Sequence, residues 1–197
     1  MSNLPPLILA SASPRRAAIL RALGLSFEVH LSRCQEVAFP DDPVATVGTN
    51  ARRKARAVQT HHPRALILAA DTVVWFQGYV LGKPSTEQQA QEWLLSYAGK
   101  CQQVYTAVAF LPPDALEPEL RIEATSLRFR HYGAATVQDY LDRVRPYDRA
   151  GAYDIHAHGE LLIAGRIGSY SNVMGLPRGV VHDWLMSYAA AHTEGQP

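Results

Sequence analysis

Cysteine is scarce in this chain, with Cys34 and Cys101 the only two in 197 residues. Two cysteines do not make a disulfide framework, so a reducing cytoplasm is the expected setting. No apolar run is long enough to span a bilayer, and the N-terminus lacks a basic region followed by an apolar signal core, so no membrane partner is expected. An excess of one charge is missing as well. The 19 Lys and Arg against 18 Asp and Glu leave a net +1, which is no footprint for a nucleic-acid binder. There is no glycine-rich phosphate loop, nucleophile elbow, internal repeat or low-complexity linker. What is present is 47% apolar and 19% charged, the composition of a soluble globular protein with room for one sizeable core, or a domain with a smaller lobe.

The charge is unevenly spread. Residues 1–60 hold eight Lys/Arg against four Asp/Glu, a balance of +4, and the remaining 11 against 14 give −3. A basic first third in a near-neutral chain suits a local pocket for a small anion better than a groove for an extended polyanion. The stretch Leu7 to Arg16, LILASASPRR, has the form of such a pocket. Leu7–Ala10 reads as a buried strand, Ser13 as an N-cap and Pro14 as the first residue of a helix running to Gly24. A strand that turns into a helix at two serines directs free N–H groups outward, a geometry that binds phosphate. Arg15 and Arg16 oppose the helix dipole there, which makes sense if an anion neutralises them, although a plain capped helix with two solvated arginines has the same sequence.

Further along, Phe27–Leu31 alternates like a strand, and 32–42 reads as a loop holding Glu36. Asp42 and Pro43 open a helix to about Thr60. The apolar run 65–70 leads into Asp71, with Val73–Phe76 beyond it. Gly78 marks a hairpin returning through 79–82 to Lys83, and Thr86 caps a helix ending at Gly99. Strands are expected over 102–111 and 119–130, then a helix over 136–144. Residues 147–159 read as functional loop and strand end, 161–167 as a strand, 169–177 as turns, and 178–191 as a last helix. The expected fold class is α/β, a mixed twisted sheet with flanking helices.

Asp71, read as closing an apolar strand, is the sharpest candidate for chemistry. A carboxylate at that place can hold a divalent metal or act as a general base, or can simply bond a neighbouring turn. Lys83 stands alone on a constrained turn, and Lys54 sits among arginines where a solvated basic face is the plain reading. His156 and His158, two apart, would share a face on a strand, but no third ligand is near in sequence. Cys34 reads as a small buried residue.

Together, Ser11-Ala-Ser-Pro-Arg-Arg16, Glu36, Lys54-Ala55, Ala70-Asp-Thr-Val-Val74, Gly82-Lys-Pro84, Val104-Tyr-Thr106, Ala150-Gly-Ala-Tyr153, Tyr170-Ser-Asn-Val173 and Gly175-Leu-Pro177 resemble the Maf-type nucleoside triphosphate pyrophosphatases, also described as septum formation inhibitors. The resemblance covers about residues 7–186 and treats 1–197 as a single domain. It implies an inosine-triphosphatase-like fold with two lobes around a cleft, often as a homodimer. It also implies a divalent cation, Mg²⁺ or alternatively Mn²⁺ or Co²⁺, and hydrolysis of a nucleoside triphosphate to monophosphate and pyrophosphate.

By resemblance Asp71 is the proton acceptor and, with Glu36, a metal ligand. Ser11, Ser13, Arg16, Lys54 and Lys83 bind substrate phosphates, and Arg15, Thr72 and His156 discriminate the base. Arg15 and Thr72 match the branch similar to dTTP/UTP pyrophosphatases rather than the 7-methyl-GTP branch. His156 stands where Gln is expected, Ala157 for Gly, Arg149 for Lys, Gln35 for Asp and Gln102 for His, departures that bear on base preference. Two other readings stand beside this one. The first is a non-catalytic nucleotide-binding regulator of cell division, against which Asp71 and Lys83 argue. The second is a single-strand nucleic-acid binder using residues 52–56, against which the lack of a wider basic, aromatic surface argues.

Overall fold

A computed structural model describes residues 5–113 and 115–193. The chain forms β1 (Leu7–Leu9), α1 (Pro14–Ala22), β2 (Glu28–Val29), α2 (Pro43–Gln59), β3 (Leu66–Phe76) and β4 (Tyr79–Leu81). It continues with α3 (Glu87–Tyr97), β5 (Cys101–Leu111), β6 (Glu119–Phe129), α4 (Ala134–Val144), β7 (Ile163–Ile167), α5 (Tyr170–Val173) and α6 (Arg178–Thr193). One seven-stranded mixed sheet has the order β2-β1-β3-β5-β6-β7, with β4 on β3. The β1 strand is parallel to β2 and β3, and the remaining pairs are antiparallel. This is the mixed sheet flanked by helices that the sequence pattern implies.

Alternation along β3 builds the two faces. Ile67, Ala69 and Val73 pack with Val47, Ala51, Ala55 and Val58 of α2, while Leu66, Leu68 and Ala70 pack with Leu20 of α1 and Val181 and Leu185 of α6. On α2, residues 47, 51, 55 and 58 recur at helical spacing, and two alanines let the helix lie close to the sheet. A third cluster gathers at the far end of β3, where Val74 and Phe76 meet Leu94 and Tyr97 of α3 and Val137 and Tyr140 of α4. The middle of β3 thus lies between two packed regions.

Several expected boundaries moved. Asp71 does not close a strand; β3 runs through it to Phe76, because 72–75 pair continuously with β5, 74–76 pair with β4, and an α2 partner satisfies the carboxylate. The segment 27–31 contributes a strand of two exposed residues only. Residues 150–152 and 159–161 form short 3₁₀ turns, so His156 and His158 lie off any strand and share no face. Cys34 is half-buried rather than buried. The capped start of α1 is as expected: Ser13 is the N-cap and Pro14 the first helical residue. The hairpin is too, its turn made by Gln77 and Gly78, both at positive φ.

Candidate active site

The β1 strand ends on β3 at Leu68, and β4 joins the same edge only from Val74 onward. Between them the edge of β3 from Ala69 to Val73 carries no strand, while the opposite edge stays paired with β5. Asp71 and Thr72 lie in this notch. Ser11 follows the end of β1 into it, and Lys83 follows β4.

Asp71 faces α2 and is 6% exposed. Its Oδ1 accepts a hydrogen bond from Lys54 Nζ at 2.6 Å, and its Oδ2 accepts one from Asn50 Nδ2 at 3.1 Å. Asn50 and Lys54 are four apart on α2, so both side chains leave the same helix face. The Lys54 ammonium also pairs with Glu36 Oε1 at 2.7 Å, making one cation shared by two carboxylates. The loop that brings Glu36 here is tied to α2 by Asn50, whose Oδ1 accepts from Val37 N and whose Nδ2 donates to Val37 O, each at 2.9 Å. Burial pushes the Glu36 carboxyl up, but the Lys54 hydrogen bond and the charges of Lys54, Lys83 and Arg16 outweigh it and hold the group below its ordinary value of 4.5. Glu36 is therefore ionised at neutral pH.

On the other face of β3, Arg16 closes the notch with three bonds. Its Nε donates to Gly175 O at 2.8 Å, Nη1 to Ser11 Oγ at 3.0 Å and Nη2 to Thr72 Oγ1 at 3.1 Å. Burial lowers its pKa, countered by the charges of Asp71 and Glu36, and a guanidinium stays protonated through such a shift. Gly175 has φ +98, and a Cβ there would sit 3.3 Å from both Arg16 Nε and Thr72 Oγ1, so a side chain would strain the backbone and crowd the guanidinium. Thr72 Oγ1 lies 2.9 Å from Thr106 Oγ1, and Thr106 donates on to Asn172 O at 3.1 Å. Asn172, fully buried, anchors α5 by donating to Val104 O and Thr125 Oγ1.

The rim beyond is also fixed. Gly151, at φ +72, donates from its N–H to Gly82 O at 2.9 Å, linking the 147–154 segment to the residue before Lys83. Asp154 lies 3.6 Å from Arg15 Nη1 and 3.1 Å from Arg149 Nε. His156 Nδ1 stands 3.2 Å from Tyr170 Oη.

A family model described as Maf-like protein matches residues 6–188. The chain belongs to the Maf family. A dTTP/UTP pyrophosphatase of Desulfotalea psychrophila is 38% identical over 185 residues, covering 93% of this chain and 95% of the relative. One of Symbiobacterium thermophilum is 43% identical over 173 residues, covering 87% and 88%. Among solved structures, a nucleoside-triphosphatase / dITP/XTP pyrophosphatase of Mycobacterium abscessus has TM-score 0.41 at 17% identity, over 63% of this chain and 74% of that one.

In this Maf chain eight of the ten expected site residues fall into three groups. Glu36, Lys54 and Asp71 are in direct contact, as are Ser11, Arg16 and Thr72. Arg15 and His156 lie on the rim, joined through Asp154, which accepts from His156 N at 2.8 Å. Ser13 serves the helix: its Oγ accepts from Arg16 N at 3.4 Å, and its own N–H donates to Ser11 Oγ at 3.2 Å. Lys83 is exposed and acts on Glu36 through its charge. Lys54, read from its neighbours as part of a solvated basic face, is 8% exposed instead, because it falls on the apolar stripe of α2 while Arg52, Arg53 and Arg56 point outward. Asn50 and Asp154 were not foreseen. The i, i+4 spacing of Asn50 with Lys54 is the signal that could have found the first; nothing in the local pattern marks the second.

Two carboxylates with hard oxygen donors suit a Mg²⁺-type cation, which is commonly held by one or two carboxylates together with substrate phosphates. The ammonium shared by Glu36 and Asp71 shows that these two groups already converge on one positive charge. Among the described residues no group of three or more His, Cys, Asp or Glu side chains could hold a metal by itself.

Proposed function

We propose that this chain, acting as one nucleotide pyrophosphatase domain, hydrolyses a nucleoside triphosphate, with dTTP and UTP as preferred substrates, to the monophosphate and pyrophosphate. The observation that carries the reading is Lys54 held at 2.6 Å from Asp71 and 2.7 Å from Glu36, beside an Arg16 clasped by three elements. Buried anionic and cationic groups meet at an open strand edge, the arrangement expected where a polyanion and water must be oriented together. The dTTP/UTP pyrophosphatases at 38% and 43% identity support the same substrate class.

In this reading the triphosphate lies along the notch, with Arg16 and Lys83 offsetting its charge. Lys54 fixes one Asp71 oxygen, while Asn50 fixes the other. Each oxygen retains a lone pair, and Asp71 takes a proton from a water as that water attacks the α-phosphorus. The bond from the α-phosphorus to the bridging oxygen breaks, and pyrophosphate leaves with that oxygen. Glu36 and Asp71 would hold the divalent cation, which when bound supplies charge neutralisation at the phosphate oxygens. Arg15, Thr72 and His156 face the nucleoside end; Thr72 acts through Arg16, to which its hydroxyl is committed. Free Cys34 and Cys101 accord with a cytoplasmic protein, and a homodimer belongs to the same reading. Among the described residues no helix is long and apolar enough to cross a membrane.

The test is turnover against dTTP, UTP, CTP, GTP and 7-methyl-GTP with Mg²⁺ and identification of both products. Pyrophosphate with the monophosphate, fastest from dTTP or UTP, is expected. Tight nucleotide binding with no turnover would replace this reading with the regulator.

A further inference from the structure

Among the described residues only two carboxylates are buried, Asp71 and Asp154. The proposed reaction uses the first. Asp154, 8% exposed, is held more firmly than an ordinary surface acid. Its backbone N–H donates to Tyr140 Oη at 2.8 Å, and the Tyr140 hydroxyl donates back to its carbonyl at 3.3 Å. Tyr140 is fully buried in α4, so the post on which the carboxylate stands is part of the core.

The two carboxylate oxygens do different things. Oδ1 accepts from His156 N at 2.8 Å and closes the turn that carries His156. Oδ2 faces two guanidiniums, Arg149 Nε at 3.1 Å and Arg15 Nη1 at 3.6 Å. Arg15 and Arg149 side chains remain 31% and 25% exposed. A guanidinium has five N–H donors, so each keeps donors directed away from Asp154. Asp148, on the solvent side, lies 3.8 Å from Arg149 Nε, so two carboxylates balance the two arginines, and Asp154 is the buried one that both guanidiniums face.

We propose that Asp154 is a positioning residue for base selection: one oxygen fixes the turn bearing His156, the other sets the reach of Arg15, and the two groups facing the base keep one relative geometry. The proposal rests on the nucleoside triphosphate reading above. Loss of the charge at residue 154 loosens Arg15 and leaves the Glu36–Lys54–Asp71 group untouched. The consequence is weaker and less selective binding with chemistry largely preserved, since an interaction made equally in the bound and transition states moves KM rather than kcat.

The experiment measures kcat and KM for UTP, dTTP, CTP and GTP with wild type, Asp154→Asn, Arg15→Ala and the double variant, each first shown to be folded by circular dichroism. Asp154→Asn keeps the volume and one acceptor for His156 N, so it tests the charge without emptying the site. The expected result is a KM for UTP raised about tenfold, kcat within about twofold, and a UTP-over-GTP ratio of kcat/KM lowered about tenfold, the scale of one charge-assisted contact. Arg15→Ala should reproduce this, and the double variant should add little to it, because the two residues act as one unit. A folded Asp154→Asn with unchanged KM and ratio overturns the proposal, as does a double variant in which the two losses multiply. A wild type that turns over none of the four nucleotides overturns the nucleotide reading itself, and the two failures are therefore distinct.

Discussion

Replacing Lys54 by Met separates a buried structural cation from a solvated one. The ammonium lies 2.6 Å from Asp71 Oδ1 and 2.7 Å from Glu36 Oε1. Glu36 can turn to water when it is removed, but Asp71, 6% exposed, is left with Asn50 alone. Breaking a buried pair by removing one partner costs about 3–5 kcal/mol, and the surviving Asn50 bond puts this case near the lower figure. At about 2–4 °C per kcal/mol for a protein of this size, Tm should fall by roughly 6–12 °C at neutral pH.

The pH dependence gives a second signature. Glu36 in the wild type is held below its ordinary value of 4.5, so its stabilising share is complete above that value and is lost as pH falls through the lower folded one. In Lys54→Met the hydrogen bond and charge that lower the Glu36 value most are gone, so this share is missing. The wild type therefore loses on acidification a share that the variant lacks, and the Tm gap, steady from about pH 7 down to 4.5, narrows below 4.5. Scanning fluorimetry of both proteins across both pH spans is the assay. A gap worth less than ~1 kcal/mol, or one constant with pH, would return Lys54 to the solvated surface and refute the reasoning.

Other outcomes follow from the same contacts. Asn50→Ala removes two bonds to Val37 and one to Asp71, and should lower both Tm, by roughly 1–3 kcal/mol of stability, and kcat, through loss of the Glu36 loop anchor. Unchanged kcat in that variant would separate the loop from the chemistry. Arg16→Lys cannot span Ser11, Thr72 and Gly175 O at once, so it should lose stability as well as triphosphate affinity, read by Tm and KM together. A lysine variant with wild-type Tm and KM would show that the fork geometry is not needed. His156→Gln should change the UTP-to-GTP ratio of kcat/KM, and a ratio equal to the wild type's would remove His156 from the base end.

Much of the fold was legible because its signals are local. Ser13 and Pro14 start α1, Asp42 and Pro43 start α2, and Gly78 turns the hairpin, each through backbone chemistry contained within a few residues. The site was legible only in part, because its residues are satisfied from far away in sequence. Asp71 looks like a strand end since aspartate is poor in strands, and only α2 laid over β3 makes a mid-strand carboxylate tolerable. Lys54 looks solvated amid arginines, although the stripe 47, 51, 55, 58 already turns residue 54 inward. For Arg16 the local sequence leaves an anion-facing and a solvated arginine both open, because the carbonyl that orients it belongs to Gly175, 159 residues away. Asp154 has its partners on α1, on α4 and in its own loop, and no short-range pattern encodes that convergence.

The central claim is that Asp71 activates water against the α-phosphorus of a nucleoside triphosphate. It is tested by turnover of UTP in isotopically labelled water with Mg²⁺, for wild type and Asp71→Asn, with mass analysis of both products. The account predicts label in the monophosphate, unlabelled pyrophosphate, and a fall of at least ~10²-fold in a folded Asp71→Asn, the lower range for losing positioned acid–base catalysis. Release of labelled inorganic phosphate, or near-wild-type turnover by folded Asp71→Asn, would contradict it.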